Sequence, residues 1–412
     1  MNVLIMGANY EPDLGPSAPL FTMLSEGLVQ RGHHVTVLTM VPHYPSGRVS
    51  SAFRGKWIWR SSENGVEVIR IGLPSVNRDH LAQRLLQFIC YQLGATFAGI
   101  GQQYDIVLAA SSSLSVWLPF FGLGVLKRKP VVYSVYDVYP DVGIKLGIFK
   151  HKPVISAITS LERSCLSNST IVHIISDSFR PGLHALGVPE SKMVLIYPWV
   201  DTDLIFPLPK LNSFAQVINR DDKFVVEYAG NIGLSQGLEN ILTSAEILSD
   251  QKDIQFIFVG DGAGREVLQS QSEERQLTNV QFVPFQPREK LPEVLACADV
   301  SLVILRRGFG SDSLPSKTFS IMASGRPILI SVDKESETYK LVKRADAGLC
   351  VQPEDPSKLA EAILVLKHDK ALCERLGHNG RIWAEQHHSP QYAAEQFEQL
   401  LLSAIAVYKG RH

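Results

Sequence analysis

Three stretches in the second half of the chain have the composition to bind a phosphate. Gly230-Asn231-Ile232-Gly233-Leu234-Ser235-Gln236-Gly237 and Gly260-Asp261-Gly262-Ala263-Gly264-Arg265 each follow an apolar run and precede a helical pattern. Turns of this kind can point backbone N–H groups at an anion. Neither is a P-loop, because Gly-Lys-Ser/Thr is missing. The third stretch, residues 308 to 327, holds a loop and a short helix that starts near Ser316 and is stopped by Gly325. Lys317 falls in the first turn of that helix, where the dipole disfavours a cation. A bound anion would account for it. Each stretch is weak alone; two such turns in consecutive units plus the third point to nucleotide binding by this half.

The first half offers different chemistry. Ser134-Val135-Tyr136-Asp137-Val138-Tyr139-Pro140-Asp141 puts Asp137 at a strand end and Asp141 one turn on. A carboxylate there can orient a nucleophile or accept its proton, and a loop or capping role fits either residue alone equally well. Tyr136 and Tyr139 suggest the wall of a small-ligand site. His43, in Pro42-His43-Tyr44-Pro45, also follows a strand end and is a candidate for substrate contact. Gly7 to Pro19 is a loop containing Gly15, but it lacks Gly-x-Gly-x-x-Gly, so no dinucleotide fingerprint is present.

These residues need a scaffold that delivers strand ends. Val3–Met6, His34–Met40, Val66–Ile71, Asp105–Ala110, Val131–Val135, Ile171–Ile175 and Val194–Ile196 are strand-like runs. Helical patterns at Leu20–Arg31 and Leu81–Gly101 interleave with them, which indicates crossover units and a parallel sheet. Pro198, Pro207 and Pro209 then break the pattern. A second alternation runs from Phe224 to Gln386, and Gln391–Tyr408 is a last long helix. The expected fold is α/β, with two doubly wound Rossmann-like domains facing across a cleft. They span residues 1–200 and 223–389, joined by a linker at 201–222. Ligands of such sheets bind outside the carboxyl ends of the strands.

Composition narrows the classes. The chain has 412 residues, enough for two or three domains of roughly 150 residues. Formal net charge is −1, so no global field points to nucleic acid. The five cysteines are scattered and never form Cys-x-x-Cys, which argues for reduced thiols, a cytoplasmic location and no metal site. The N-terminus reads as a first strand and not a signal peptide. Ser112 to Leu126 is largely apolar and ends in Lys127-Arg128-Lys129. A packed crossover helix is the favoured account of it, and a membrane-touching edge the lesser one.

Taken together the motifs resemble the GT-B glycosyltransferases of family 4, most closely the colanic-acid and O-antigen type that builds bacterial surface polysaccharides. The resemblance runs the whole length. It rests on Tyr10-Glu11-Pro12 with Gly15, Arg31-Gly32-His33-His34-Val35-Thr36-Val37, Pro42-His43-Tyr44-Pro45 and Asp137-Val138-Tyr139-Pro140-Asp141. It continues through Gly230-Asn231-Ile232-Gly233, Val259-Gly260-Asp261-Gly262, Pro315-Ser316-Lys317, Met322 to Pro327, and Gly348-Leu349 with Pro353 and Asp355.

The resemblance implies a retaining transfer from a sugar nucleotide, a UDP-sugar being favoured over a GDP-sugar, with no metal or other cofactor. The C-terminal domain would hold the donor through Gly230, Asn231, Gly233, Gln236, Gly262, Arg265, Phe285, Asp312, Ser313, Ser316 and Ser320, with Gly15 also near the diphosphate. Lys317 and Asp137 would be catalytic, while His43, Tyr136 and Tyr139 would meet the acceptor. The final helix, 390–412, would return to the N-terminal domain. The implied acceptor is a polyprenyl-diphosphate-linked saccharide, with peripheral contact at the cytoplasmic face of the inner membrane through Arg78, Arg84 and Lys127 to Lys129. The chain departs from the family where a pair of glutamates is replaced by Asp312 and Ser320, and where Arg and Lys are replaced by Asn231 and Gln236. Diphosphate neutralisation then falls on Lys317, with Arg265 or Arg326 as helpers. Two other classes compete on the sequence: a GT-B sugar-nucleotide epimerase and a non-catalytic sugar-nucleotide-binding protein.

Overall fold

The computed structural model describes residues 1–410 except 16, 45, 77–80, 112, 146–148, 221, 234–235 and 311–313, with the side chains of 81, 82, 84, 142 and 145 also left undescribed. The chain forms two compact units, Met1–Pro198 with Pro390–His412, and Trp199–Ser389.

Unit 1 is built on eight strands: β1 (Asn2–Met6), β2 (His34–Met40), β3 (Ile58–Glu63), β4 (Val66–Ile71), β5 (Ile106–Ala110), β6 (Val131–Val135), β7 (Ile171–Ile174) and β8 (Met193–Leu195). Their order is β3-β4-β2-β1-β5-β6-β7-β8. β5 and β6 are buried along their whole length. That is why they read as almost wholly apolar runs, with Ser134 the polar exception, since helices cover both faces of a parallel sheet. β3 is different. It pairs antiparallel with β4 at the sheet edge, and its sequence, Ile-Trp-Arg-Ser-Ser-Glu, carries the polar residues that an edge tolerates. Sequence periodicity did not reveal it, nor the helix Lys152–Asn168.

Residues 113 to 125 form a helix that continues as a π-helical turn, burying Val116, Phe120 and Leu123. This is the packed crossover, and Leu126, the residue that follows it, projects outward, 78% exposed. The helix Pro390–Lys409 packs in the same unit. Phe397 meets the His173 ring with centroids 4.8 Å apart, and Glu398 accepts from Arg31 Nε at 2.7 Å.

Unit 2 has six parallel strands: β9 (Phe224–Ala229), β10 (Ile254–Val259), β11 (Val280–Val283), β12 (Val300–Ile304), β13 (Ile328–Ser331) and β14 (Gly348–Val351), in the order β11-β10-β9-β12-β13-β14. Residues 201–222, suggested as a linker by their prolines, instead pack onto this unit. Asn212 caps the helix Ser213–Val217 through the Phe214 and Ala215 amides, and Phe214 and Ile218 join a core cluster with Val225 and Ile257. Among the described residues no helix is long and apolar enough to cross a membrane.

Candidate functional site

Unit 2 carries a cavity of about 460 Å³ at the carboxyl ends of β9, β10 and β12. This is where a doubly wound sheet exposes loops and helix starts to a ligand. Of the residues expected to bind a donor, Gly230, Asn231, Gln236, Phe285, Ser316, Lys317 and Ser320 line it. Gly233 lines a smaller neighbouring cavity. Asp312 and Ser313 lie outside the described residues.

Lys317 dominates the electrostatics. It is the first residue of the helix Lys317–Ala323. Its ammonium lies 3.6 Å from the centroid of the Tyr228 ring. Burial pulls its pKa down to about 7, against the opposing pull of the Glu227 charge. Glu227 is 2% exposed in β9 and accepts from Ser301 Oγ at 3.0 Å. Burial raises its carboxyl to about 8, offset in part by Ser301 and by the Lys317 and Arg326 charges. A buried carboxyl and a half-buried amine, crowded by protein, therefore both titrate near neutrality beside one cavity, a pattern enriched at functional sites. The sequence did not single out Glu227, which reads as one more residue of a strand.

The glycine turns act through packing. A Cβ on Gly260 would fall 2.0 Å from the Gly230 carbonyl oxygen, and one on Gly262 would fall 2.5 Å from that of Ile232. The two turns also exchange hydrogen bonds, Gly230 N to Val259 O at 2.8 Å and Ile232 N to Asp261 O at 2.8 Å. Arg265 is occupied locally. Its guanidinium donates to the Gly260 carbonyl and, at 3.0 Å, to Val283 O. Arg326 likewise donates to Leu208 O and Ala296 O, at 2.7 and 2.8 Å. Both expected helpers thus brace backbone. Among the described residues the second cation lining the cavity is Arg288, which follows the Phe285-Gln286-Pro287 loop at a strand end and carries no motif of its own. Arg288 also pairs with Asp201 at 3.4 Å. Gln236 Oε1 is buried without a hydrogen-bond partner among the described residues.

Unit 1 assembles a second group of polar residues. Asp13 is 4% exposed. Its carboxylate accepts from Gly15 N at 2.7 Å, His43 N at 2.9 Å and Tyr44 N at 3.3 Å. Gly15 bonds Oδ1 and the two later amides bond Oδ2, and Oδ2 also lies 3.2 Å from His43 Nδ1, which is itself 3.1 Å from Val41 O. Two acceptors within reach of Nδ1 call for a hydrogen on that nitrogen. Burial opposes ionisation of Asp13, but its bonds from the His43 side chain and backbone and from Gly15 outweigh it and hold the carboxyl below its usual range. Gly15 and His43, both expected at the site, are thus joined by a residue the sequence did not flag.

Asp137 closes β6, as expected. Its side chain still reaches solvent, yet the protein mass around its carboxyl raises the pKa to about 6. Tyr136, expected on an open wall, turns inward. Its ring contacts Phe21 and His173 edge-on, at 5.7 and 6.2 Å, and its hydroxyl is buried. Tyr139 lies 6.4 Å from Phe149, ring to ring. Arg78 and the Arg84 side chain lie outside the described residues.

Comparison with known proteins agrees with this layout. Residues 17–199 match the glycosyl transferase 4-like domain and residues 210–383 match glycosyl transferases group 1. The chain is 29% identical over 388 residues to the putative colanic acid biosynthesis glycosyl transferase WcaI of Escherichia coli (strain K12), covering 91% of this chain and 95% of that protein. Among solved structures, sucrose-phosphate synthase from Thermosynechococcus elongatus superimposes with a TM-score of 0.74 at 17% identity, over 98% of this chain and 99% of that one. Anabaena HepE in complex with UDP gives 0.71 at 15% identity, over 98% and 100%. The two structures share the fold, and the two domain matches together span most of the chain. The chain belongs to the GT-B glycosyltransferases, a glycosyl transferase 4-like domain followed by a group 1 domain.

Proposed function

We propose that the protein is a retaining glycosyltransferase that moves a sugar from a nucleotide-diphosphate sugar to a polyprenyl-diphosphate-linked saccharide in surface-polysaccharide synthesis. The likeness to WcaI supports the polysaccharide context, and HepE, with its bound UDP, supports a uridine nucleotide. The observation that carries the proposal is the Lys317 ammonium at the wall of the 460 Å³ cavity. In this reading Phe285, 73% exposed at the cavity, offers its ring to the base, and Lys317 and Arg288 neutralise the diphosphate. Charge develops on that diphosphate as the glycosidic bond breaks, so a fixed cation there lowers the barrier. The departing diphosphate assists in taking the acceptor proton, and Asp137 attends the acceptor hydroxyl. No bound metal enters the scheme.

A thermal-shift screen of UDP- and GDP-sugars tests the donor, since a ligand that binds only the folded state raises its midpoint. Incubation of the responding donor with polyprenyl-diphosphate saccharides, followed by NMR of the new anomeric centre, tests acceptor and stereochemistry. Absence of any shift, or an inverted product, rejects the reading.

A further inference from the structure

Arg70, the penultimate residue of β4, is 2% exposed. Burying a guanidinium is costly unless its donors are used. Here they reach two different segments. Towards the sheet edge, Nη1 donates to Glu63 Oε1 at 2.6 Å and to Ser61 Oγ at 3.0 Å, and Nη2 donates to Glu63 Oε2 at 2.9 Å. Both partners belong to β3. The Arg70 bonds hold the Glu63 carboxyl below its usual range. In the other direction Nη2 donates to the Glu11 carbonyl. The Tyr10 and Phe53 rings lie 5.9 and 5.6 Å from the Arg70 Cζ, and Tyr10 is 1% exposed.

The forked pair with Glu63 already compensates the charge and fastens β3. The bond to Glu11 does something else. Glu11 belongs to the loop that leaves the carboxyl end of β1, where a doubly wound sheet presents its ligand-facing residues. Two residues on, Asp13 gathers the Gly15, His43 and Tyr44 amides. Glu11 N also donates to Thr22 Oγ1 at 3.3 Å, so the backbone of Glu11 is tied through both its carbonyl and its amide. Pro12 and Leu14 stand in solvent. Arg70 thus fixes one end of a short segment whose other end carries the Asp13 cluster. A lysine at 70 could pair with Glu63 or reach Glu11, but a single ammonium has no fork with which to do both.

We propose that Arg70 is a positioning residue for the transfer reaction: its guanidinium clamps the Glu11 carbonyl to the β3 edge and so fixes the loop that carries Asp13, Gly15 and the contact to His43. The inference rests on the glycosyltransferase reading, in which Gly15 and His43 meet the donor diphosphate and the acceptor.

Arg70→Lys in the full chain tests it, by hydrogen-exchange mass spectrometry and by steady-state transfer to a polyprenyl-diphosphate saccharide from the UDP-sugar that raises the wild-type midpoint. Backbone amides between residues 8 and 15 should exchange on the order of tenfold faster, while those of β5 and β6 keep their wild-type rates. kcat should fall on the order of tenfold or more and KM for the UDP-sugar should stay within about threefold, because the cavity of unit 2 is untouched. An unchanged UDP thermal shift reports that cavity. Glu63→Gln keeps an acceptor opposite Arg70 and keeps the Glu11 bond, so it should lower the melting temperature and spare both kcat and the loop. Thr22→Val removes the other bond on Glu11 without disturbing a buried charge. It should loosen the same loop and lower kcat, and it carries the test if Arg70→Lys does not fold. The proposal is overturned if the loop or kcat is unchanged in Arg70→Lys. It is also overturned if Glu63→Gln loses kcat in step with its melting temperature as Arg70→Lys does, since Arg70 would then only brace the sheet edge. Failure of the glycosyltransferase reading would register separately, as a wild type with neither a UDP shift nor transfer while Arg70→Lys still loosens the loop.

Discussion

The Lys317 ammonium lies 3.6 Å from the centre of the Tyr228 ring, and the buried Glu227 precedes that tyrosine in β9. The ring face offers some electrostatic compensation, but burial still takes the amine down to about 7. Holding a destabilised cation at a cavity wall makes sense if an anion arrives there. Lys317→Ala should therefore cut donor affinity or turnover on the order of ten- to a thousandfold. The melting temperature without ligand should hold or rise, because a desolvated charge is removed. Thermal shift with a UDP-sugar and steady-state kinetics measure both. An unchanged rate takes Lys317 out of the site.

The same pair predicts a pH dependence. In the free protein Lys317 loses its proton above about 7, and Glu227 loses its own above about 8. A bound diphosphate favours the charged amine and the neutral carboxyl, so at pH 8 the complex holds more protons than its parts. Binding must then take up protons, and affinity must fall as pH rises through this range. Calorimetry at pH 8 in two buffers of different ionisation heat measures the uptake. It should shrink in Lys317→Met and in Glu227→Gln. Equal heats after correction in wild-type would exclude the coupling.

Much of the fold was legible because buried parallel strands appear as apolar runs. Ile106–Ala110 and Val131–Val135 are buried at every position. The edge strand Ile58–Glu63 was not, because its outward residues are polar. The lining of the candidate cavity was legible where side-chain chemistry and turn chemistry coincide, as at Lys317 and Gly230. Glu227 was not, since a lone glutamate in Phe-Val-Val-Glu-Tyr-Ala gives no sign that it is buried beside an amine. Asp13 was hidden because its partners His43 and Tyr44 come thirty residues later, and only the fold joins them. Helix Leu81–Ile100 was seen as a helix, but a periodic pattern does not report which apolar face remains open.

Asp137 should set the acid limb of activity. Its carboxyl titrates at about 6, so a role as base or as anion requires deprotonation and is lost as pH falls through 6. Asp137→Asn should lower kcat more than donor affinity and remove that limb from the kcat profile. A variant with normal kcat and weakened UDP-sugar binding would move Asp137 to the donor.

The Asp13 carboxylate holds Gly15, His43 and Tyr44 through buried charge-assisted bonds. Asp13→Asn retains the shape and loses the charge, and its NH₂ faces a donor. The expected loss is about 1–3 kcal/mol at pH 7. Because the folded-state pKa is depressed, this stability is present above the ordinary carboxylate range and disappears as pH falls through the folded value. The difference in melting temperature between wild-type and Asp13→Asn should therefore be full at pH 7 and close in acid. A gap that stays constant with pH would show that packing, and not the charge, is what Asp13 supplies.

Gly260 offers a way to separate backbone strain from collision. Its φ is +144°, and a Cβ there would fall 2.0 Å from the Gly230 carbonyl oxygen. Gly187 in unit 1 also has positive φ, +92°, with nothing within 4 Å of its Cβ position. Gly187→Ala meets only the conformational penalty, of order 1–3 kcal/mol, and should leave donor binding untouched. Gly260→Ala must also push the 260 turn off the 230 turn, and with it the wall of the cavity that holds Lys317 and is proposed to take the donor. It should lose the UDP-sugar thermal shift even where the protein still folds by circular dichroism. Equal behaviour of the two variants would mean that the turns can separate without cost, and the cavity would then owe its shape to the helix at Lys317 and not to the close approach of the two glycines.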